Sequence, residues 1–267
     1  MLQSKPTQIP APSAPLEGFP VKVSIVIPMH NEAENVDTMV AEIETACAEL
    51  PGMELLLVDD GSTDATADLI RALAPTRPWL RLIRHPKAGG QSAAVHSGVL
   101  AAKGDIICTL DGDGQNPPAE IPNLVAPLLA PDAPADLGLV AGQRVDRQDT
   151  ASKKLGSRFA NGVRAWMLND GTRDTGCGLK AFRRDAFLAL PFFNHMHRYL
   201  PALFSRDGWK VAHVDVTHRE RGGGTSKYNN FQRAMVGIRD LMGVAWLIKR
   251  AKTARPAEDP LRPESTT

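Results

Sequence analysis

VKVSIVIPMHNE, residues 21–32, decides the fold. Val21, Val23, Ile25, Val26 and Ile27 form a β-branched run ended by Pro28, the pattern of a strand buried on both faces of a parallel sheet. Asn31 opens a periodic segment reaching to about Leu50, with Glu32 and Glu34 in its first turn, where the helix dipole favours acids. The same order then recurs. Residues 54–58 read as a second buried strand stopped by Asp59-Asp60-Gly61, and Ser62 or Thr63 is placed to cap a helix to about Leu73. Residues 80–84 form a short strand, 92–102 a small-residue helix and 105–110 another strand. Strands alternating with helices predict an α/β fold with a doubly wound, mostly parallel sheet flanked by helices. Beyond Pro117 the pattern loosens: strands are expected over 135–141, 179–183 and 210–216, and helices over 153–167, 185–190 and 197–205.

The bulk composition is compatible with one such domain. The chain has 267 residues, 43% of them hydrophobic and 23% charged, enough for a core under an ordinary surface. A net charge of +1 gives no reason to expect a nucleic-acid partner. The charge is unevenly spread: residues 219–255 hold nine Lys and Arg against Glu220 and Asp240, which makes this region a candidate for phosphates or lipid headgroups. Cys47, Cys108 and Cys177 show no CxxC spacing, so neither a disulfide framework nor a zinc site is expected, and a reducing compartment fits. The first twenty residues contain five prolines and no apolar core of a secretory signal. Residues 1–20 read as a disordered leader and 253–267 as a disordered polar tail.

In open α/β sheets ligands bind outside the carboxyl ends of the strands. Polar clusters stand at three of these ends: His30-Asn31-Glu32, Asp59-Asp60-Gly61-Ser62 and Asp111-Gly112-Asp113-Gly114-Gln115. Asp111 and Asp113, two apart in extended chain, can present both carboxylates to one side, and the glycines between permit close backbone approach. Paired hard oxygens suit Mg²⁺ or Mn²⁺ bridging a diphosphate. An EF-hand calcium loop starting at Asp111 is excluded, because Asn116 stands where its glycine belongs and Pro122 where its last acid belongs. No GxGxxG follows the first strand, and neither GxxxxGK[ST] nor GxSxG is present, which disfavours NAD enzymes, P-loop NTPases and α/β-hydrolases.

VSIVIPMHNEAENV, LLLVDDGSTDAT, GGQSAAVHSG, DGDGQNPP, DTGCGLKAFRRDAF, HRYLPALF and HRERGGGTSKY follow one another over about residues 21–250. In that order they resemble glycosyltransferase family 2, and within it the dolichol-phosphate mannosyltransferase-like subgroup of bacterial enzymes that use polyprenyl-phosphate acceptors. The resemblance implies a GT-A fold over residues 21–230, an inverting transfer and a divalent metal. It puts Pro28, His30, Glu32, Asp59 and Asp60 around the nucleotide of a nucleotide-sugar donor, and Asp111, Asp113 and Gln115 at the metal and diphosphate. Arg144, Arg158, Arg221, Ser226 and Lys227 resemble a phosphate-binding set; guanidinium forks match phosphate oxygens, and the glycine-rich loop before Lys227 can wrap a diphosphate. GDP-mannose, UDP-glucose and UDP-N-acetylhexosamine all fit as donors.

The acceptor sets the chemistry. A lipid phosphate already carries an anionic oxygen, with a second pKa of about 6, and needs orientation rather than a base; Arg144 and Arg158 are candidates for that task. A saccharide hydroxyl would need a general base, for which Asp174 in DTGCG is the candidate. His197 and Arg198 either touch the donor sugar or pack a helix start, and Cys177 reads as a small buried residue. A catalytically silent nucleotide-sugar-binding subunit is the reading from another class. No QxxRW motif of processive synthases is present.

Residues 231–252 are expected to form a C-terminal amphipathic helix, with Phe231, Ala234, Met235, Ile238, Leu241, Met242, Ala245 and Ile248 at helical spacing. Its longest uncharged run, residues 241–248, is short of the roughly 20 residues that span a bilayer. Trp246, Lys249, Arg250 and Lys252 suit peripheral contact with anionic lipid, whereas a terminal helix packed on the domain or on a partner is the plainer alternative. Either way the protein is expected in the cytoplasm, at the inner face of the plasma membrane, with a membrane-embedded partner as one route to the lipid.

Overall fold

The computed structural model describes residues 21–50, 52–144, 164, 167–168, 172, 174, 176–219 and 230–252, with the backbone alone described over 230–236. Seven strands form one sheet in the order β3-β2-β1-β4-β6-β5-β7, comprising β1 (Val23–Met29), β2 (Met53–Asp60), β3 (Leu80–His85), β4 (Ile106–Thr109), β5 (Leu137–Arg144), β6 (Lys180–Arg183) and β7 (Lys210–Val216). Strands β3, β2, β1 and β4 run parallel, β6 lies antiparallel between β4 and β5, and β7 is parallel to β5. The chain winds from β1 outward through β2 to β3, then returns to place β4 on the other side of β1. The carboxyl ends of β1 and β4 therefore flank the point where winding reverses, the ligand-binding edge of such sheets.

Side-chain alternation divides the core between the two faces. On one face Val23, Ile25, Ile27, Leu55 and Leu57 pack with α1 (Val36–Ala46), α2 (Thr66–Leu73) and α4 (Ile121–Leu129). On the other, Val26, Leu56, Val58 and Phe182 pack with α3 (Gln91–Ala101), α5 (Arg184–Leu188), α6 (Leu200–Arg206) and Val244 of α7 (Asn230–Lys249). Helix α3 lies close to the sheet because Gly98 has no side chain there: a Cβ would meet Val26 Cγ1 at 2.3 Å and Val58 Cγ2 at 3.0 Å. At the end remote from the ligand edge, buried Glu54 accepts from Ser24 Oγ (2.7 Å), Lys103 N (2.6 Å) and Arg81 Nη1 (2.6 Å), so its charge is met on every side.

Several boundaries differ from those the sequence predicts. The first helix begins only at Val36, after a 3₁₀ turn over Ala33–Asn35, because Asn31 adopts a left-handed backbone (φ +57°). Ser62 and Thr63 cap nothing: α2 starts at Thr66, whose N–H donates to Asp64 Oδ1 (3.0 Å), while Ser62 and Thr63 bond to Asn31. Helix α4 is a helix that sequence reading misses, since Pro122 and Pro127 disguise it; Pro122 lies in the first turn, where a missing N–H costs nothing. The expected helix over 197–205 is a 3₁₀ turn, Met196–Arg198, followed by α6. The expected leader, tail and helix 153–167 fall outside the described residues, apart from helical Arg164 and Met167.

Helix α7 is two-faced. Val244 is buried, Leu241, Ala245, Leu247 and Ile248 pack on the core, and Arg206 Nε donates to Leu247 O (2.9 Å). Ile238, Met242 and Trp246 are exposed on its outer side. No helix among the described residues is long and apolar enough to cross a membrane.

The close contact at Gly98 gives a direct test of the packing. Gly98→Ala is expected to cost about 1–3 kcal/mol by overpacking, read as a lower urea midpoint. Gly243→Ala, where a Cβ meets nothing within 4 Å, is expected to raise the midpoint slightly, by about 0.5–1 kcal/mol.

Candidate active site

The loops after β1, β2 and β3 are laced by short polar bonds. Asn31 N donates to Ser62 Oγ (2.9 Å) and its Oδ1 accepts from Thr63 N (2.8 Å). Glu32 N donates to Thr66 Oγ1 (3.0 Å), and Glu32 Oε2 accepts from Asn35 Nδ2 (2.6 Å). Asp59 is buried under this turn, accepting from Ser62 N (3.0 Å) and Arg84 Nε (3.1 Å). Asp60 Oδ1 accepts from Gly89 N (2.8 Å) and His85 Nδ1 (2.7 Å), and Oδ2 accepts from Gly90 N (2.7 Å). Burial would raise the Asp60 pKa, but these donors outweigh it and hold the carboxyl below its usual range. Its backbone carbonyl accepts from His30 Nδ1 (2.8 Å). Asp60 therefore fixes the glycine turn that launches α3, and α3 begins with Gln91.

Gln91 reaches the third cluster: its Nε2 donates to Asp111 Oδ1 (2.7 Å), while Asn116 Nδ2 donates to Asp111 Oδ2 (3.1 Å). Gly178 lies directly against this carboxylate, and a Cβ there would meet Asp111 Oδ2 at 2.3 Å. Burial, and then the neighbouring charge of Asp113, push the Asp111 pKa up; Lys180 and the two amide donors offset part of that. Asp113 Oδ1 accepts from Gln115 N (3.2 Å), and Gln115 O accepts from Arg219 N (3.0 Å).

Two cavities meet at the Gln91–Asp111 pair. One, of about 260 Å³, is lined by Pro28, His30, Glu32, Asp60, Gly112 and Asp113 together with that pair. The other, of about 310 Å³, has Lys180, His197, Arg198, Leu200 and the turn Gly176-Cys177-Gly178 on its remaining walls. Of the residues singled out from sequence, the first cavity thus gathers Pro28, His30, Glu32, Asp60, Asp111 and Asp113. Asp59 sits behind it, Gln115 lines neither cavity, and Arg158, Arg221, Ser226 and Lys227 lie outside the described residues.

Arg144 and Asp174 come together as a forked ion pair, Nε to Oδ2 at 2.6 Å and Nη2 to Oδ1 at 2.8 Å. Burial alone would raise the Asp174 pKa, but the Arg144 fork and the Gly176 N–H override it and leave the carboxyl below its ordinary value of 3.8. A carboxylate so held is a weak proton acceptor.

The sequence reading assigns no role to Gln91, Gly178 or Lys180. Only one sign of Lys180 is legible in advance: a lysine set inside the otherwise apolar stretch Leu179 to Phe182. Its ammonium is buried at the start of β6 and donates to Cys177 O.

A hard divalent cation suits the donor set. Asp111 and Asp113 put two mutually repelling carboxylates in the lining of the smaller cavity. Among the described residues no cluster of three or more acidic, histidine or cysteine side chains adds further ligands. Two carboxylates with the remaining positions left to phosphate and water oxygens is a Mg²⁺-type arrangement.

The model of the family Glycosyl transferase family 2 matches residues 24–190. The chain belongs to that family. An undecaprenyl-phosphate 4-deoxy-4-formamido-L-arabinose transferase of Pectobacterium carotovorum is 35% identical over 210 residues, which are 78% of this chain and 62% of the relative. The chain thus spans about 62% of the length of that curated relative. Among solved structures, glucosyl-3-phosphoglycerate synthase from Mycobacterium tuberculosis, in complex with Mn²⁺, UDP and glucosyl-3-phosphoglycerate, superposes with a TM-score of 0.63 at 21% identity, over 86% of this chain and 80% of that one. A mannosyltransferase from Pyrobaculum calidifontis, in complex with GDP-Man and Mn²⁺, gives 0.62 at 19% identity over 91% and 69%. These likenesses establish the GT-A fold expected from the sequence.

The Asp174 pair has a pH signature. Because its folded pKa lies below the ordinary 3.8, the pair's stabilisation is complete above that value and is lost as pH falls through the lower folded one. Asp174→Asn is therefore expected to lower the urea midpoint at neutral pH, and the gap to wild type should close as the pH falls below about 4. A gap that stays constant would contradict the linkage.

Proposed function

We propose that this chain transfers a sugar from a nucleotide diphosphate sugar to a polyprenyl phosphate, with inversion at the anomeric carbon. The observation that carries this reading is the meeting of two cavities at Asp111, one walled by the nucleotide-side clusters and the other by cations. Donor and acceptor would then face each other across one carboxylate.

In this reading Pro28, His30, Glu32 and Asp60 surround the nucleotide, with Asp59 stiffening the turn behind them. Asp111 and Asp113 would hold Mg²⁺ or Mn²⁺, with Gln115 fixing Asp113 through its N–H and completing the expected set. When bound, the cation supplies charge neutralisation for the departing nucleotide diphosphate. Gln91 and Asn116 orient Asp111 so that its carboxylate need not reorganise as the diphosphate leaves. Arg144, oriented by Asp174, has donors left over for phosphate. Arg158, Arg221, Ser226 and Lys227 are proposed as further phosphate contacts.

A phosphate acceptor also suits the weak basicity of Asp174, since an anionic oxygen attacks without losing a proton. Transfer to a saccharide hydroxyl would ask Asp174 to act as base while Arg144 competes for both its oxygens. The outer face of α7, with Trp246 exposed and Lys249, Arg250 and Lys252 following, is proposed to touch anionic lipid at the cytoplasmic face of the plasma membrane. A membrane-embedded partner would complement it by holding the polyprenyl tail.

Radiolabelled UDP- and GDP-sugars offered with undecaprenyl phosphate and Mg²⁺ or Mn²⁺ test the reading. Label is expected in the butanol-extractable lipid, abolished by EDTA and reduced at least about 100-fold in Asp113→Ala. Label in a saccharide instead of the lipid would overturn the acceptor assignment. Donor binding without turnover on any acceptor would favour a silent binding subunit.

A further inference from the structure

The larger cavity holds a cation that the mechanism above leaves unused. Most arginines near the ligand edge are already matched: Arg84 by Asp59, Arg144 by Asp174 and Arg219 by Glu42. Arg198 is not. Its backbone N–H closes a turn on His195 O (3.1 Å), yet among the described residues its guanidinium has no ion pair or hydrogen bond, and it lines the cavity.

Its surroundings reinforce the imbalance. Lys180, buried on the same cavity wall, spends its ammonium on the neutral carbonyl of Cys177. His197, which lines the same cavity, hydrogen-bonds Ser92 Oγ (2.8 Å). Burial, together with the charges of Lys180 and Arg198, lowers its pKa to about 3, so it is a neutral imidazole. The cavity's acidic lining residue is Asp111, which already faces Asp113 and the first cavity. Two cations against one shared carboxylate leave a wall that favours an anion, and an open guanidinium suits the fork of a phosphate.

The segment carrying Arg198 indicates which phosphate. His195 takes a left-handed backbone (φ +70°), and the next residues form the 3₁₀ turn at the cavity. His195 Nδ1 pairs with Asp240 Oδ2 (2.9 Å) and Tyr199 Oη donates to Gly237 O (3.3 Å), both on α7. Arg198 is therefore one contact away from the helix whose outer face shows Ile238, Met242 and Trp246. A phosphate on an apolar tail would approach from that side, whereas a nucleotide enters beyond the Gln91–Asp111 wall.

We infer that Arg198 binds the phosphate of the acceptor, in the cavity backed by Lys180, on a segment held in place by α7. This inference rests on the chain being a polyprenyl-phosphate sugar transferase, and it adds a binding residue to the arginines expected from the sequence.

Initial rates of Arg198→Gln and Arg198→Lys, with undecaprenyl phosphate and donor varied separately, test it, alongside calorimetric UDP affinity and thermal midpoints. The glutamine variant is expected to raise the acceptor KM tenfold or more, with donor KM and UDP Kd within twofold of wild type. The lysine variant should recover part of the loss and covers the case in which the glutamine variant fails to fold. A rise in donor KM or UDP Kd instead would give Arg198 to the donor diphosphate and overturn the inference, as would unchanged constants for both substrates. Wild-type protein that never labels the lipid would sink the parent reading and this one with it; active wild type with an indifferent Arg198→Gln sinks this one alone.

Discussion

The carboxylate of Asp111 rests against the α-carbon of Gly178, in a space no side chain could share. That contact depends on β6 running antiparallel beside β4, with Lys180 opposite Thr109, so that the turn before β6 arrives at the same sheet edge as the acidic loop after β4. An aspartate at the winding reversal of the sheet is thereby made the common wall of two cavities. Gln91 and Asn116 fix its two oxygens, and Asp60, by gripping Gly89 and Gly90, fixes Gln91 at the start of α3. Each loop at this edge is positioned by another, and Asp111 is where they converge.

Electrostatics then separates the two sides. The smaller cavity meets two carboxylates that repel one another, a setting that favours a divalent cation. The other cavity carries Lys180 and Arg198, and the nearby Arg144–Asp174 pair is internally neutralised. A divalent cation would offset the two carboxylates on one side, and a phosphate monoester would offset Lys180 and Arg198 on the other.

The apolar runs of β1 and β2 were legible because a strand buried on both faces must be apolar throughout; Ile25, Leu55, Leu56 and Leu57 have no exposed surface. The three polar clusters were legible for a related reason: charged residues directly after such strands have to lie at the sheet edge. Less legible were features created by pairing between distant segments. Nothing in DTGCGLK states that its second glycine will press on Asp111, because that follows from β6 inserting antiparallel. Asp60 lines the smaller cavity, but the grip of both its oxygens on a turn about 30 residues away is not legible in the sequence. Helix α4 was hidden by prolines that propensity penalises but that its first turn and its packing on the sheet accommodate. Arg198 was visible as a residue, but its lack of an ion pair among the described residues emerges only when its neighbours are in place.

The most direct test of the central claim, that Asp111 and Asp113 join donor and acceptor cavities through a bound cation, is diffraction at the manganese edge from crystals grown with Mn²⁺ and UDP. A single anomalous peak is expected within about 2.0–2.3 Å of Asp113 or Asp111 oxygens, bridging to the diphosphate in the cavity lined by His30 and Asp60. Nucleotide bound elsewhere, or a peak away from both carboxylates, would contradict it.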